Sequence, residues 1–207
     1  MKILIACEES QTITKEYRKL GFEAYSCDVL DCSGGHPEWH IKGDAIKEAY
    51  SGKYDLMIAH PPCTYLAVSG NRWLYNKDKT KNKERWKNRE LALDFVRELM
   101  NAPIKKIAIE NPTPMRVFNL PKHTMVIQPY QFGHSLSKKT LLWLKNLPNL
   151  KPDKDEPMKK SNNYKPLLPS NTGGKKFGLK YSFSSITGKE SSITFKGIAN
   201  AMVKQWG

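Results

Sequence analysis

Cys63 and Glu110 are the side chains whose types and settings best suit covalent chemistry. Leu56 to Ala59 is an unbroken apolar run, the pattern of a strand buried on both faces of a parallel sheet. Pro61 and Pro62 then fix φ and withhold two N–H donors, so the chain turns stiffly and presents Cys63 just beyond the strand's carboxyl end. Ligands bind at that end in open α/β sheets, and a thiol there is a candidate nucleophile. The other reading of Cys63 is a small buried hydrophobe. A second apolar run, Ile104 to Ile109, leads into Glu110-Asn111-Pro112. Two successive strands would deliver a thiol and a carboxylate to one sheet edge.

The elements before them set up a cofactor side. Lys2 to Cys7 reads as the first strand and Glu8-Glu9-Ser10 as a turn, with Ser10 or Thr12 as the helix N-cap. Ile13, Tyr17 and Leu20 share one helix face, and Gly21 closes the helix. Phe22 to Cys27 is the second strand, ending at Asp28, with a right-handed crossover expected. In nucleotide-binding α/β folds an acid in that place binds ribose hydroxyls. Asp44, ahead of a short helix, stands where such folds often hold an adenine amino group. The two acids, in this order before the Pro-Pro-Cys strand, point to S-adenosylmethionine as cofactor. Cys27, Cys32, His36 and His40 admit a zinc reading. However, Gly34, Gly35 and Pro37 would break a helix presenting the histidines, and structural zinc patterns have a longer middle gap. A folded loop on the cofactor side is expected instead.

Beyond Cys63 the chain turns basic and aromatic. Thr64 to Asn76 reads as a loop carrying Arg72, Trp73 and Tyr75, suited to stacking on bases and meeting phosphates. The competing reading packs Trp73 and Tyr75 on the helix that follows. Lys77 to Lys83 reads as a mobile basic run, and Glu84 to Asn101 as a helix with Leu93, Val96 and Met100 in its apolar stripe. Residues 71 to 90 hold eight Lys or Arg, Arg85 among them, against three acids; residues 151 to 207 hold eleven Lys against four acids. With a formal net charge of +14, this points to a polyanionic partner, DNA in the first place. Thr124 to Gln128 and Leu141 to Leu144 read as strands, and Ile198, Met202 and Trp206 as a final helix face. Lys151 to Lys189 lacks periodicity and reads as loop. Without 18 consecutive apolar residues, a membrane span is not expected. The charged start that turns acidic at Glu8 reads as a strand, not a signal peptide. Four cysteines, at 7, 27, 32 and 63, fit a reducing cytoplasm rather than a disulfide scaffold.

Pro-Pro-Cys followed about 47 residues later by Glu-Asn resembles the two catalytic motifs of cytosine-C5 DNA methyltransferases. Most of the chain is similar to small phage-encoded proteins of that kind. The resemblance implies an α/β fold of Rossmann-like class I methyltransferase type, with a mostly parallel twisted sheet and helices on both faces. It divides the chain into a catalytic domain over 1–150, a basic loop region over 151–190 and a C-terminal helix over 191–207 that returns to the cofactor side. The implied activity is S-adenosylmethionine-dependent methylation of cytosine C5 in DNA, by a monomer or small homo-oligomer in the cytoplasm (the host's, if phage-encoded). Cys63, Glu110 and Lys138 are then catalytic. Glu8, Glu9, Ser10, Asp28, Asp44, Pro61 and Asn200 hold the cofactor, and Arg72, Trp73, Arg85, Lys138 and Lys139 meet the nucleic acid.

Three departures from that pattern stand out. The turn after the first strand has no glycine. Lys138 and Thr140 stand where the family has two arginines. The chain has no room for a target-recognition domain, so sequence specificity should be short or absent. Three other classes stay open: a nucleic-acid binder on an altered methyltransferase fold, an amino-group methyltransferase, and an enzyme acting on a free pyrimidine nucleotide.

Overall fold

The computed structural model describes residues 1–112, 114, 120–134, 138–152 and 193–207. The apolar runs form the centre of a seven-stranded sheet. β1 (Lys2–Ala6), β2 (Glu23–Asp28), β4 (Leu56–Ala59) and β5 (Lys106–Pro112) are parallel, and β3 (His40–Lys42) extends the edge beside β2. β7 (Thr140–Lys145) runs antiparallel to both β5 and β6 (Met125–Ile127). The order β3-β2-β1-β4-β5-β7-β6 reverses direction at β1 and β4, the switch point where open α/β sheets bind ligands. This is the α/β, Rossmann-like architecture expected from the sequence, a mostly parallel sheet with helices on both faces.

Strand alternation divides the core into two layers. Leu4, Ala6, Met57, Ile107 and Ile109 face α2 (Ala45–Ala49) and α3 (Lys83–Asn101), the latter through Leu93, Val96 and Leu99. Ile3, Ile5, Leu56 and Ile58 face α1 (Thr12–Lys19) and α4 (Lys196–Trp206). Continuous apolar strands and helices on both faces are two aspects of one requirement, because each strand must be covered twice. The Tyr17 hydroxyl donates to the Met202 carbonyl at 3.2 Å and Trp206 Nε1 donates to the Pro148 carbonyl at 3.0 Å, so buried aromatics also fix α4 on this face.

Several local expectations are corrected. Leu20 ends α1 but is 60% exposed, since the buried face is Ile13, Thr14 and Tyr17. Gly21 does close the helix, at φ +81°. Gln11 rather than Ser10 or Thr12 is the N-cap, and it lends no side-chain bond there. The stretch around His40 contributes the edge strand β3 rather than loop alone. Lys77 to Lys83 closes as a turn, with Asn76 N–H donating to Thr80 O at 2.8 Å and Tyr75 bridging to Lys81. It ends in the Asn82 cap of α3, whose Oδ1 accepts from Arg85 N–H at 3.1 Å. Apart from Lys151 and Pro152, the expected basic region 151–190 lies outside the described residues. Among those described, no helix is long and apolar enough to cross a membrane.

Gly197 marks the tightest contact between α4 and the rest. A Cβ there would sit 1.9 Å from the Phe132 carbonyl oxygen, which is backbone and cannot swing away. Gly197→Ala is therefore expected to destabilise the protein by about 2 kcal/mol in urea denaturation. Leu20→Ala, on the exposed end of α1, should change stability by less than about 0.5 kcal/mol.

Candidate active site

β4 and β5 are neighbours in parallel register, with Ala59 opposite Ile109. The next residues, His60 and Glu110, therefore stand side by side where β4 ends and β5 continues against β7 to Pro112. His60 Nδ1 lies 3.2 Å from Glu110 Oε2, and the two side chains are only 9% and 18% exposed. One residue further, Asn111 Nδ2 donates to the Pro61 carbonyl at 3.1 Å. The proline turn is thus stiff by covalent geometry and pinned to β5 by a buried amide. Cys63 follows, and its carbonyl accepts from Leu66 N–H at 3.0 Å and Ala67 N–H at 2.9 Å, starting the next turn.

Electrostatics link the thiol, the acid and a lysine. Burial pushes the Cys63 thiol up and the Glu110 charge adds to this; Lys138 and a local backbone N–H act the other way, and the balance stays above an ordinary thiol. For Glu110, burial favours the neutral acid. It is outweighed by the His60 hydrogen bond and charge, then by Lys138 and the Thr140 hydroxyl, which hold the carboxyl below its usual range. The resting site thus favours a thiol beside a carboxylate. Glu110, Lys138 and Thr140 line a hollow of about 20 Å³ together with Thr194, Phe195 and Ile198. That is room for about one water, so a base reaching Glu110 must displace residues of the segment entering α4.

A larger cavity of about 250 Å³ lies at the switch point, near the smallest volumes usual for small-molecule sites, about 300 Å³. Asp28 and Asp44 both line it, with Cys7, Val29, Pro62, Tyr65 and Phe95. Two carboxylates in an otherwise apolar cleft suit the hydroxyls and amino group of a nucleoside. Asp44 Oδ1 also caps α2, accepting from Ile46 N–H at 2.8 Å, and Asp28 Oδ1 accepts from Leu30 N–H at 2.9 Å; each keeps a second oxygen. Pro62 and Tyr65 place this cavity against the turn that carries Cys63.

The other residues expected at the cofactor do not line that cavity. Glu8 is 5% exposed, and its carboxylate accepts from Ile13 N–H at 2.7 Å and Thr14 Oγ1 at 2.7 Å; it caps α1 from below. Glu9 bonds Ser33, and Ser10 bonds Thr12. Pro61 is buried under Asn111, and Asn200 rides on α4, whose start reaches the Glu110 side. The turn manages without glycine because Cys7 and Gln11 adopt the left-handed conformation, at φ 60° and 55°, a strain of about 1 kcal/mol or more each. Gln11 is fully buried and holds the 29–40 loop, accepting from Cys32 Sγ at 2.9 Å and His36 N–H at 3.1 Å and donating to His36 O at 2.8 Å. His40 bonds Ser26 Oγ at 2.8 Å, and His36 stacks on Trp39. The four residues of the zinc reading are thus engaged in ordinary contacts, and no metal-ligand cluster occurs among the described residues.

Next to Cys63 the surface is cationic and aromatic. Trp73 is 53% exposed beneath the Arg72 guanidinium, 4.6 Å from its ring centre. Tyr75 instead turns its ring edge to Trp86 on α3. Arg85 stacks over Tyr65 at 5.0 Å and donates to Thr64 O at 3.1 Å, a bond that ties the helix to the residue after Cys63. Lys139 is exposed one residue beyond Lys138. His60, Asn111, Cys7 and Phe95 were missed from sequence; only His60 and Asn111 had a signal, their adjacency to Pro-Pro-Cys and to Glu110.

No family model and no curated protein matches this chain. Solved structures do match. One is a prophage-encoded Escherichia coli protein assigned as a DNA modification methyltransferase, with 11% identity and a TM-score of 0.46 over 74% of this chain and 51% of that one. Another is the Entamoeba histolytica methyltransferase EhMeth, with 16% identity and a TM-score of 0.46 over 74% of this chain and 57% of that one. The chain spans little more than half the length of either. A likeness of this size concerns general fold and says nothing of activity.

The raised thiol makes a pH prediction. A Cys63 pKa above the ordinary value means little thiolate at neutral pH, so alkylation of Cys63 by iodoacetamide should be slow at pH 7 and accelerate only in the alkaline range. Glu110→Gln should raise the neutral-pH rate severalfold and Lys138→Gln should lower it, as read by mass spectrometry of the Cys63 peptide.

Proposed function

We propose that this protein is an S-adenosylmethionine-dependent DNA methyltransferase acting on cytosine C5, with little sequence preference. The observation that carries this reading is the convergence of Cys63, Glu110 and Lys138 beside a cavity with two acids at the sheet's switch point. Bound there by Asp28 and Asp44, the cofactor would supply an electrophilic methyl group. The chain's own residues do the rest. Cytosine C5 is a weak nucleophile; addition of the Cys63 thiolate to C6 makes it enamine-like, and a proton delivered to N3 from Glu110 favours that addition. Lys138 offsets the negative charge near the thiol. It acts as a point charge, without the planar fork of the arginine it replaces. A duplex base must first leave the stack, and Trp73 with Arg72 and Arg85 offer an aromatic and cationic rim beside Cys63.

Nucleoside mass spectrometry of DNA incubated with protein and S-adenosylmethionine should reveal 5-methylcytosine. DNA containing 5-fluorocytosine should form a stable crosslink, because fluorine at C5 cannot leave as a proton. Cys63→Ser should abolish both signals. Methylation at an exocyclic amine, or full activity in Cys63→Ser, would sink the C5 reading.

DNA binding should weaken steeply with salt, since each phosphate contact contributes about −0.9 to the log–log slope. Arg72→Ala and Arg85→Ala should each make the slope shallower by about one, with similar losses on unrelated sequences. An unchanged slope would place DNA elsewhere on the surface.

A further inference from the structure

We propose that His60 is a positioning residue that fixes the Glu110 carboxylate and supplies the proton Glu110 passes to the pyrimidine ring. This rests on the reading of Cys63 and Glu110 as the reacting pair. His60 stands directly before the proline turn and receives its place from β1, its N–H donating to Ala6 O at 3.0 Å. Its Nδ1 meets Glu110 Oε2 at 3.2 Å in a largely buried contact. Its Nε2 is buried with no partner among the described residues. A buried ring nitrogen left unmatched is costly, and a nonpolar residue would spare that cost if position 60 served packing alone.

The charged and titratable groups around the His60–Glu110 pair come from several elements. Glu8, after β1, interacts with His60; Lys138, before β7, interacts with Glu110, which lies in β5, and Cys63, on the same turn as His60, also interacts with Glu110. Two buried carboxyls thus interact with the imidazole. Proton transfer balances simply. One proton leaves the His60–Glu110 pair for N3 as the Cys63 sulfur bonds to C6, and it returns to the pair at elimination; there the separate C5 proton is lost to water, its electron pair restores the C5–C6 double bond, and the Cys63 thiolate departs.

The pH profile follows. The reactive form needs Cys63 as thiolate and the pair protonated. With the thiol titrating above the pair, the acid limb of the rate profile reports the pair and the alkaline limb the thiol. His60→Asn keeps an N–H donor near the Nδ1 position but cannot carry the proton, which must then sit on Glu110 alone. A lone carboxyl titrates lower, so the acid limb of 5-fluorocytosine crosslinking should move by about one pH unit or more to lower pH. The plateau rate should fall about tenfold or more, and DNA affinity should stay within about twofold. An unmoved limb with an undiminished plateau overturns the proposal.

A second measurement needs no turnover. In histidine-labelled protein followed by NMR, Glu110→Gln should move the His60 Nδ1 resonance, because it replaces the carboxylate that Nδ1 meets at 3.2 Å. A His60 Nδ1 resonance unchanged by Glu110→Gln overturns the pairing. If wild-type protein gives no crosslink while that resonance does move, the cytosine reading fails and the His60–Glu110 pair stands.

Discussion

The site depends on the register between β4 and β5. The two strands stop pairing at the same level, with Ala59 beside Ile109, and both continue into polar residues there. This sets His60 against Glu110 and Pro61 against Asn111, and so fixes how the proline turn presents Cys63. A slip of one residue would turn Glu110 to the other face and drop the apolar set of β5 out of its layer. The core and the chemistry therefore enforce the same register. That register is also supported from the far side, where antiparallel β7 pairs Leu142 with Glu110 and brings Lys138 to the same edge.

The parts that were legible in the sequence are those that punctuate apolar runs. Leu56–Ala59 and Ile107–Ile109 are too apolar to lie anywhere but the middle of the sheet, so the residues that end them had to emerge at its edge. Asp28 and Asp44 were legible for the same reason, as the first acids after a strand and before a helix, and both line one cavity. The turn after β1 was not. Glu8, Glu9 and Ser10 offered three polar side chains, and nothing local tells which faces a ligand and which a helix terminus. Glu8 turns inward because the N–H groups of Ile13 and Thr14 need an acceptor that Gln11, left-handed and committed to the 29–40 loop, cannot give. His60 was passed over because one histidine after a strand carries no periodicity; its meaning comes only from what stands opposite. Leu20 satisfied the helical spacing but lies past the last turn that the sheet covers.

The lack of glycine after β1 has a similar explanation. Glycine is favoured in such turns because the backbone needs positive φ. Here Cys7 and Gln11 meet that need at some strain, and each side chain has work a glycine could not do. Cys7 forms part of the wall of the Asp28–Asp44 cavity. Gln11 gathers Cys32 and His36 into the loop beside it. The departure changes how the turn is held, and leaves the cleft at the switch point in place.

The protonation state of the resting site looks at first like an obstacle to the proposed chemistry. Burial and Glu110 hold Cys63 up, as a thiol, while His60 and Lys138 hold Glu110 down, as a carboxylate. Addition to a pyrimidine needs the reverse at both positions. The two states nonetheless contain the same number of protons, so the reactive form is reached by moving a proton within the site, without exchange with solvent. The cost of that rearrangement is set by the gap between the thiol's pKa and that of the group that receives the proton, about 1.4 kcal/mol for each unit. A bare carboxylate would leave a wide gap. An imidazole paired with that carboxylate narrows it, since it binds a proton more tightly than the carboxylate does. A base entering between Cys63 and Glu110 lowers the cost again, because it separates the two negative charges whose mutual repulsion keeps the thiol protonated. The arrangement that makes the free site unreactive is thus the one that a bound pyrimidine would relieve.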